Sequence, residues 1–296
     1  MKTPRITDEQ VAHWLEHDYV VIPGFLTTDE LAASNADLRR YYPSADEYFA
    51  APERYRTLPG MLEFPYVGDA LNHVATHPDL LDFVGEILGT PDVFLTQSLL
   101  WGKYSGGQYD QALHRDYGNN TLVVPRDDGA FRQVAMIIYY EDVTDEHGPT
   151  RVVSQRFAGE VPLVPAVVTI DERPDLYANE HAVTATAGSL LLYSEQTLHR
   201  GSEFRAPKGA RFSHHLVYRA AGYEWMGFQA LPREGNSPEM RRFIEVATPR
   251  QRSAIGFPAP GHAYWNDATL DGVALRYPKM DLGPYREAAN CSTSTG

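Results

Sequence analysis

Gln108-Tyr109-Asp110-Gln111-Ala112-Leu113-His114-Arg115-Asp116-Tyr117 is the stretch that decides how this chain is read. Gly188-Ser189-Leu190-Leu191-Leu192-Tyr193-Ser194-Glu195-Gln196-Thr197-Leu198-His199-Arg200-Gly201 answers it later in the chain. In an extended strand residues i and i+2 project from one face, so His114 and Asp116 can offer an imidazole and a carboxylate to one point. A third ligand must come from elsewhere. His199 is the candidate, because it follows the apolar run from Leu190 to Tyr193, which reads as a buried strand ending where polar residues begin. Two His and one carboxylate on one face of an octahedron form the non-haem Fe(II) oxygenase arrangement, which leaves positions open for co-substrate and dioxygen.

The composition is compatible with that reading and excludes others. Hydrophobic content of 43% in 296 residues suits a globular protein with a sizeable core, and 23 Gly with 21 Pro suit a turn-rich β architecture. A formal net charge of −13 argues against nucleic acid or anionic membrane as partner, since both select basic patches. The single cysteine, Cys291, excludes disulfides and cysteine-rich metal sites within the chain. No apolar run is long enough to span a bilayer and the N-terminus has no apolar signal core, so cytoplasmic residence is the default expectation.

Outward from the motif, Thr7-Asp8-Glu9-Gln10 opens a helix from about 7 to 17, Tyr19 to Leu26 reads as a strand around Pro23-Gly24, and Thr28-Asp29-Glu30 caps a helix to about Arg40. Residues 43–66 show no clear period and read as an irregular lid or connection. Pro78 starts a helix that Gly89 ends. Strands are then expected at Val93 to Trp101, at the metal motif, and at Thr121 to Val124, Val134 to Tyr140, Arg151 to Val153, Val183 to Thr186, Ser189 to Tyr193 and Arg211 to Tyr218. The expected organisation is one domain over 1–290: a helical part to about 90, a jelly-roll core over about 91–220, and an irregular part to about 290 around the barrel mouth. Residues 291–296 form a frayed tail. The fold class is mainly β with flanking helices, a double-stranded β-helix of the cupin-like, jelly-roll kind.

Five segments in order carry a family resemblance: Val20-Val21-Ile22-Pro23-Gly24-Phe25-Leu26, His114-Arg115-Asp116, Asp145-Glu146-His147-Gly148-Pro149-Thr150-Arg151-Val152-Val153, Gly188-Ser189-Leu190-Leu191-Leu192 and His199. Over roughly residues 7–220 the chain resembles the phytanoyl-CoA dioxygenase family of Fe(II)/2-oxoglutarate oxygenases. The resemblance implies iron held by His114, Asp116 and His199. It also implies 2-oxoglutarate held through its far carboxylate by Arg211, whose guanidinium offers a bidentate fork that keeps its charge. Arg205 is the rival at an earlier offset, but it precedes the Ala206-Pro207-Lys208-Gly209 turn and should face solvent. Gln97 occupies a position where similar enzymes place a Gln on the co-substrate, and Lys103, Thr121 and Ser202 are further candidates for co-substrate contact.

The implied reaction consumes dioxygen and 2-oxoglutarate, releases succinate and carbon dioxide, and oxidises a C–H bond of a small molecule, with hydroxylation as the default outcome. Halogenation is disfavoured, because Asp116 fills the position a halide would need. The chain departs from the family after Val153, where Ser154-Gln155-Arg156-Phe157 replaces the usual Pro-Gly-Ser-His, which leaves the substrate open. A neutral or weakly polar small molecule, such as a specialised metabolite, fits the acidic chain without a Lys/Arg cluster. The competing readings are a cupin-type metal enzyme that does not use 2-oxoglutarate and a non-catalytic binding protein on the same fold.

Simpler roles are expected for other polar residues. His214 and His215 are adjacent on a strand and point to opposite faces, so they read as packed or surface residues. Glu195 reads as a solvated loop carboxylate rather than a partner of His199, and the aromatics from 223 to 228 as core rather than substrate cage.

Overall fold

The computed structural model describes residues 5–106, 110–126 and 128–293, with side chains to 289; Gln108 and Tyr109 of the motif stretch, and the Cys291 side chain, lie outside the described part. Among the described residues, eleven strands pair into two antiparallel sheets. They are β1 Tyr19–Ile22, β2 Met61–Glu63, β3 Val93–Tyr104, β4 Leu113–His114, β5 Val134–Tyr139, β6 Thr150–Val153, β7 Val167–Val168, β8 Glu180–Ala182, β9 Leu190–Ser194, β10 His199–Gly201 and β11 Ala210–Ala220. The larger sheet runs β1-β9-β5-β11-β3-β2 and the smaller β7-β4-β10-β6-β8. Two such facing sheets, with helices on one side, make the expected jelly roll.

Sequence period explains the layers. In β9, Leu191 and Tyr193 face the smaller sheet with Ile137, Val152 and Val217, whereas Leu190 and Leu192 face the helices with Met136, Ile138 and Leu216. Both faces are covered, so the run is apolar throughout rather than alternating. The helices on the larger sheet's outer face include α1 Asp8–His17, α2 Thr28–Leu38, α3 Ala45–Ala50, α4 Ala70–Val74 and α5 Pro78–Leu88. Thr7 caps α1 in a capping box, and Gly89 ends α5 in the left-handed region at φ 67°, both as the sequence predicts. Three short helices, α6 Tyr117–Asn120, α7 Gln155–Ala158 and α8 Pro174–Ala178, lie in the loops of the smaller sheet.

Several local expectations are corrected. The part after residue 221 is not irregular: it holds α9 Pro238–Val246, α10 Pro249–Ala254, α11 Asp267–Arg276 and α12 Gly283–Thr293. Each of the first three starts on a side-chain cap, from Ser237, Thr248 and Asn266, the first two followed by Pro at the opening position. Met240, Phe243, Leu270 and Tyr285 bury these helices against the main core rather than around the barrel mouth. The tail is helical to Thr293. Residues 43–66 contain α3, a 3₁₀ turn at Pro52–Tyr55 and the edge strand β2. Thr121 makes one bridge to Met226, but residues 122–124 form an exposed loop, with Leu122 88% accessible. The strand expected at Val183 to Thr186 lies earlier, at β8, leaving Ala185 a single bridge to Val143.

Candidate metal centre

His114 on β4 and His199 on β10 are direct partners across the ladder, and their ring centroids lie 4.5 Å apart. The strand premise for the motif holds only for His114. Asp116 lies past the strand's end, at φ −81° and ψ −3°, as the residue that opens α6. The turn still brings its carboxylate to the same point: Oδ1 is 3.5 Å from His114 Nε2 and Oδ2 is 3.2 Å from His199 Nε2.

The backbone fixes which ring nitrogen carries the proton. His114 Nδ1 lies 2.9 Å from the Ala112 carbonyl and His199 Nδ1 lies 3.0 Å from the Thr197 carbonyl, so both Nδ1–H groups donate to the main chain. Both Nε2 lone pairs then face a carboxylate. Lone pairs and carboxylate oxygens at this spacing repel unless a proton or a cation sits between them, so the geometry suits a divalent metal. Protonation is the alternative, and the His114 imidazole shows it: burial lowers its pKa, but the bonds to Asp116 and to Ala112 outweigh burial and the net direction is upward. For Asp116, burial is likewise outweighed, by the His199 charge and the imidazole hydrogen bonds, and its pKa falls well below the usual carboxylate range.

A second group, Glu30, His73 and His77, is equally compact but differently wired. His77 Nδ1 accepts from the Asp79 N–H, and His73 Nδ1 accepts from Gln251 Nε2, whose amide is oriented by the Thr248 N–H on Oε1. With each Nδ1 accepting, the proton of each neutral ring sits on Nε2, which for His77 is the nitrogen 3.5 Å from Glu30 Oε1, and Arg5 already holds Glu30 through two hydrogen bonds. Each of the three is thus already held by hydrogen bonds to other neighbours. The same tautomer argument separates the two groups.

The His114, Asp116 and His199 group opens onto a cavity of about 580 Å³ between the sheets, a volume in the range of small-molecule sites. Arg211 and Gln97 line it, as expected, and so does Lys103. Arg211 on β11 lies directly across from Lys103 on β3, so two cations stand side by side on one wall. Burial first, and then the Arg211 charge, push the Lys103 amine down to about 7. Such a pair gives this wall the positive charge that an anion would need. Arg205 is exposed and donates to the Asp145 carbonyl, as its place before the turn predicts. Thr121 and Ser202 do not line the cavity. The Thr121 hydroxyl is turned back to the Val123 N–H, and Ser202 donates to the Pro149 carbonyl at 2.6 Å, so local backbone claims both.

Three further residues depart from their sequence readings. His215 shares the cavity face with Arg211 four residues earlier, while His214 points to the helix side and bonds Ser98, Tyr66 and Tyr140. The period-2 alternation from Arg211 was the signal for His215. Glu195 is not solvated: it is 2% accessible and its Oε2 accepts from Asn120 Nδ2 at 2.8 Å, while burial and the Asp116 charge raise its carboxyl to about 8. Among the aromatics of 223–228, Tyr223 and Trp225 stack on each other beside Phe131, and Phe228, 40% accessible, lines the cavity. Arg115, between the two motif residues, is buried and ties the carbonyls of Gln196, Pro162 and Val161 together behind the site.

Known proteins place this architecture. The chain resembles the crystal structure of the non-heme alpha ketoglutarate dependent epimerase SnoN from nogalamycin biosynthesis at 17% identity and TM-score 0.52, over 72% of this chain and 82% of that one. HygX from Streptomyces hygroscopicus, solved with nickel and 2-oxoglutarate bound, matches at 18% identity and TM-score 0.53, over 74% and 89%. The carbocyclase SnoK from nogalamycin biosynthesis matches at 20% identity and TM-score 0.53, over 73% and 84%. At these identities the likeness is one of fold. No curated protein sequence matches the chain. The family model described as Phytanoyl-CoA dioxygenase (PhyH) matches residues 14–212, a span that contains His114, Asp116, His199 and Arg211, and the chain belongs to that family.

Proposed function

We propose that this protein is a non-haem Fe(II)/2-oxoglutarate-dependent oxygenase that oxidises a C–H bond of a small organic molecule, by default through hydroxylation, with release of succinate and carbon dioxide. The observation that carries the reading is the pairing of two Nε2 lone pairs and a carboxylate at one point with two cations on the wall of the same cavity. His114, Asp116 and His199 would hold the iron. Arg211 would hold the far carboxylate of 2-oxoglutarate by a bidentate bond, with Lys103 adding charge beside it. When bound, iron and 2-oxoglutarate would supply the means of activating dioxygen, the oxidant of both 2-oxoglutarate and the substrate. The chain's own residues orient the partners: Ala112 and Thr197 carbonyls fix the imidazoles, and the Tyr193 ring, 4.9 Å from His199, closes one side against water.

Two lines support this over a cupin-type enzyme that does not use 2-oxoglutarate. Such an enzyme has no use for Lys103 and Arg211 side by side on the cavity wall, and the similar folds include alpha ketoglutarate dependent proteins. Those proteins are an epimerase and a carbocyclase, so the fold is compatible with several outcomes of one C–H oxidation. The test is anaerobic titration with Fe(II) and 2-oxoglutarate, following the weak visible charge-transfer band. It should form in wild type, vanish in His199→Ala and weaken in Arg211→Ala. A folded wild type that takes up iron and shows no band refutes the proposal.

A further inference from the structure

We infer that Asp18, at the end of the first helix, is a positioning residue for the metal centre: its carboxylate fixes the turn whose Thr197 carbonyl orients His199. The inference rests on the metal-binding reading of His114, Asp116 and His199 and adds to it a residue from outside both sheets.

Asp18 closes α1 in the left-handed region, at φ 64° and ψ 13°, with its N–H on the Trp14 carbonyl. Such a helix end is ordinarily glycine, because a Cβ is strained there. Asp18 is one of two non-glycine residues at positive φ among the described residues. Its side chain offsets the strain through the bonds it makes. Ser194 Oγ donates to Asp18 Oδ2 at 2.5 Å and Thr197 Oγ1 lies 2.9 Å from the same oxygen and 2.9 Å from the Asp18 carbonyl. Each hydroxyl also accepts a main-chain N–H, from Gln196 and from Ser194 respectively, so its own proton is left for Asp18. Oδ2 accepts in either protonation state of the carboxyl, because a proton on the group can reside on Oδ1.

The turn presents the acceptor that His199 needs. β9 ends at Ser194 and β10 begins at His199, so Thr197 belongs to neither strand. Its N–H closes the turn on the Ser194 carbonyl at 3.0 Å, and two groups from elsewhere then grip it. Arg115 Nε takes the Gln196 carbonyl at 2.8 Å, and Asp18 takes the Ser194 and Thr197 hydroxyls. The Thr197 carbonyl held by these grips accepts the His199 Nδ1–H, which leaves the Nε2 lone pair for the metal.

A residue that positions another must itself be held. His17 Nδ1 lies 2.9 Å from Ser154 Oγ, Gln155 Nε2 donates to the Leu15 carbonyl at 2.8 Å, and Arg156 pairs with Glu16. Ser154, Gln155 and Arg156 stand where the sequence departs from the family pattern, and they clasp the end of α1 rather than line the cavity.

The experiment compares wild type with Asp18→Gly, Asp18→Asn, Thr197→Val and His199→Ala, each checked by circular dichroism to be folded, so that a change in affinity is not a change in folded fraction. Glycine suits the left-handed cap, and it leaves the main-chain carbonyl for Thr197 while removing the acceptor of Ser194. Co(II) titration should give an affinity about fivefold lower in Asp18→Gly and about tenfold lower in Thr197→Val. Asp18→Asn keeps an oxygen that accepts both hydroxyls and should stay within about twofold of wild type. In the Zn(II)-loaded protein, NMR of isotope-labelled histidine should show the His199 Nδ1–H exchanging with solvent faster in Asp18→Gly. The His114 Nδ1–H, held by Ala112, should keep its wild-type rate, whereas a general loosening would move both. The inference is overturned if Asp18→Gly binds Co(II) as wild type does, if Asp18→Asn is no better than Asp18→Gly, or if the two Nδ1–H protons change together. If Asp18→Gly does not fold, a Thr197→Val protein with wild-type affinity overturns it. A folded wild type that takes up neither metal, or that binds no better than His199→Ala, overturns the metal-binding reading and the role of Asp18 with it.

Discussion

Replacing Lys103 with Met should make the protein more stable and its co-substrate binding weaker. In the absence of 2-oxoglutarate the Lys103 amine is half desolvated beside Arg211, and its pKa is pushed from 10.5 to about 7. Taken at face value that depression corresponds to about 4 kcal/mol of lost stability at pH 7. The side chain lines an open cavity, so solvent screening reduces the figure to about 2 kcal/mol. The sign follows from linkage. The folded lysine binds its proton less tightly than the unfolded one, so between about pH 7 and 10.5 the unfolded chain holds more protons and wild-type stability rises with pH. Lys103→Met, which keeps length and removes the charge, should gain about 2 kcal/mol near neutrality and flatten that rise. Urea unfolding of the metal-free protein across this pH range reads both. Binding 2-oxoglutarate restores a counter-charge, so wild type should take up about half a proton at pH 7, measurable by calorimetry in buffers of different ionisation enthalpy. In Lys103→Met the uptake should disappear and affinity fall at least about tenfold. A destabilised mutant, or one with unchanged 2-oxoglutarate affinity, would refute the reasoning.

Two other outcomes follow from the same geometry. Gly102→Ala would set a Cβ 2.5 Å from the Tyr42 ring, which is fully buried, packs 5.7 Å from Phe212 and donates to the Leu100 carbonyl. The ring has nowhere to retreat, so urea unfolding should show a loss of about 1–3 kcal/mol, and an unchanged midpoint would count against this packing. Metal affinity should fall as pH drops through the raised His114 value, because protons and metal compete for Nε2. Mn(II) titration followed by the free-ion EPR signal should show the effect, and Asp116→Asn should weaken binding at every pH; affinity independent of pH from about 5.5 to 8 would contradict the assignment.

The strong local signals in the sequence were enough to find the layers and the metal group. Thr7 and Gly89 bound their helices because capping is a property of a few neighbouring residues. His114, Asp116 and His199 could be matched because their spacing and order survive translation into space, even though Asp116 lies beyond the strand that was invoked for it. What could not be read depended on long-range partners. Glu195 and Asn120 are 75 positions apart, and nothing near Glu195 in sequence announces its burial. Lys103 gains its meaning only from a register partner on β11. Thr121 and Ser202 failed as cavity residues because nearby backbone groups take their hydroxyls. The C-terminal helices were missed for another reason. Their caps were visible at Ser237-Pro238 and Thr248-Pro249, but the surrounding aromatics and prolines masked the helical period.

β11 carries two incompatible chemistries on opposite sides of one ribbon. Arg211, Ser213 and His215 look into the cavity, while Phe212, His214 and Leu216 serve the helix side. Slipping the strand by one residue would drive a guanidinium into the core and turn a phenyl ring toward the cavity. A substitution along β11 therefore alters one of the two chemistries, whereas an insertion or deletion within it would disturb both at once. The loops that bear Asn120 and Phe228 are under no such restriction. Change in what the protein oxidises can accumulate there while the machinery that activates the oxidant stays fixed in the register of the sheet.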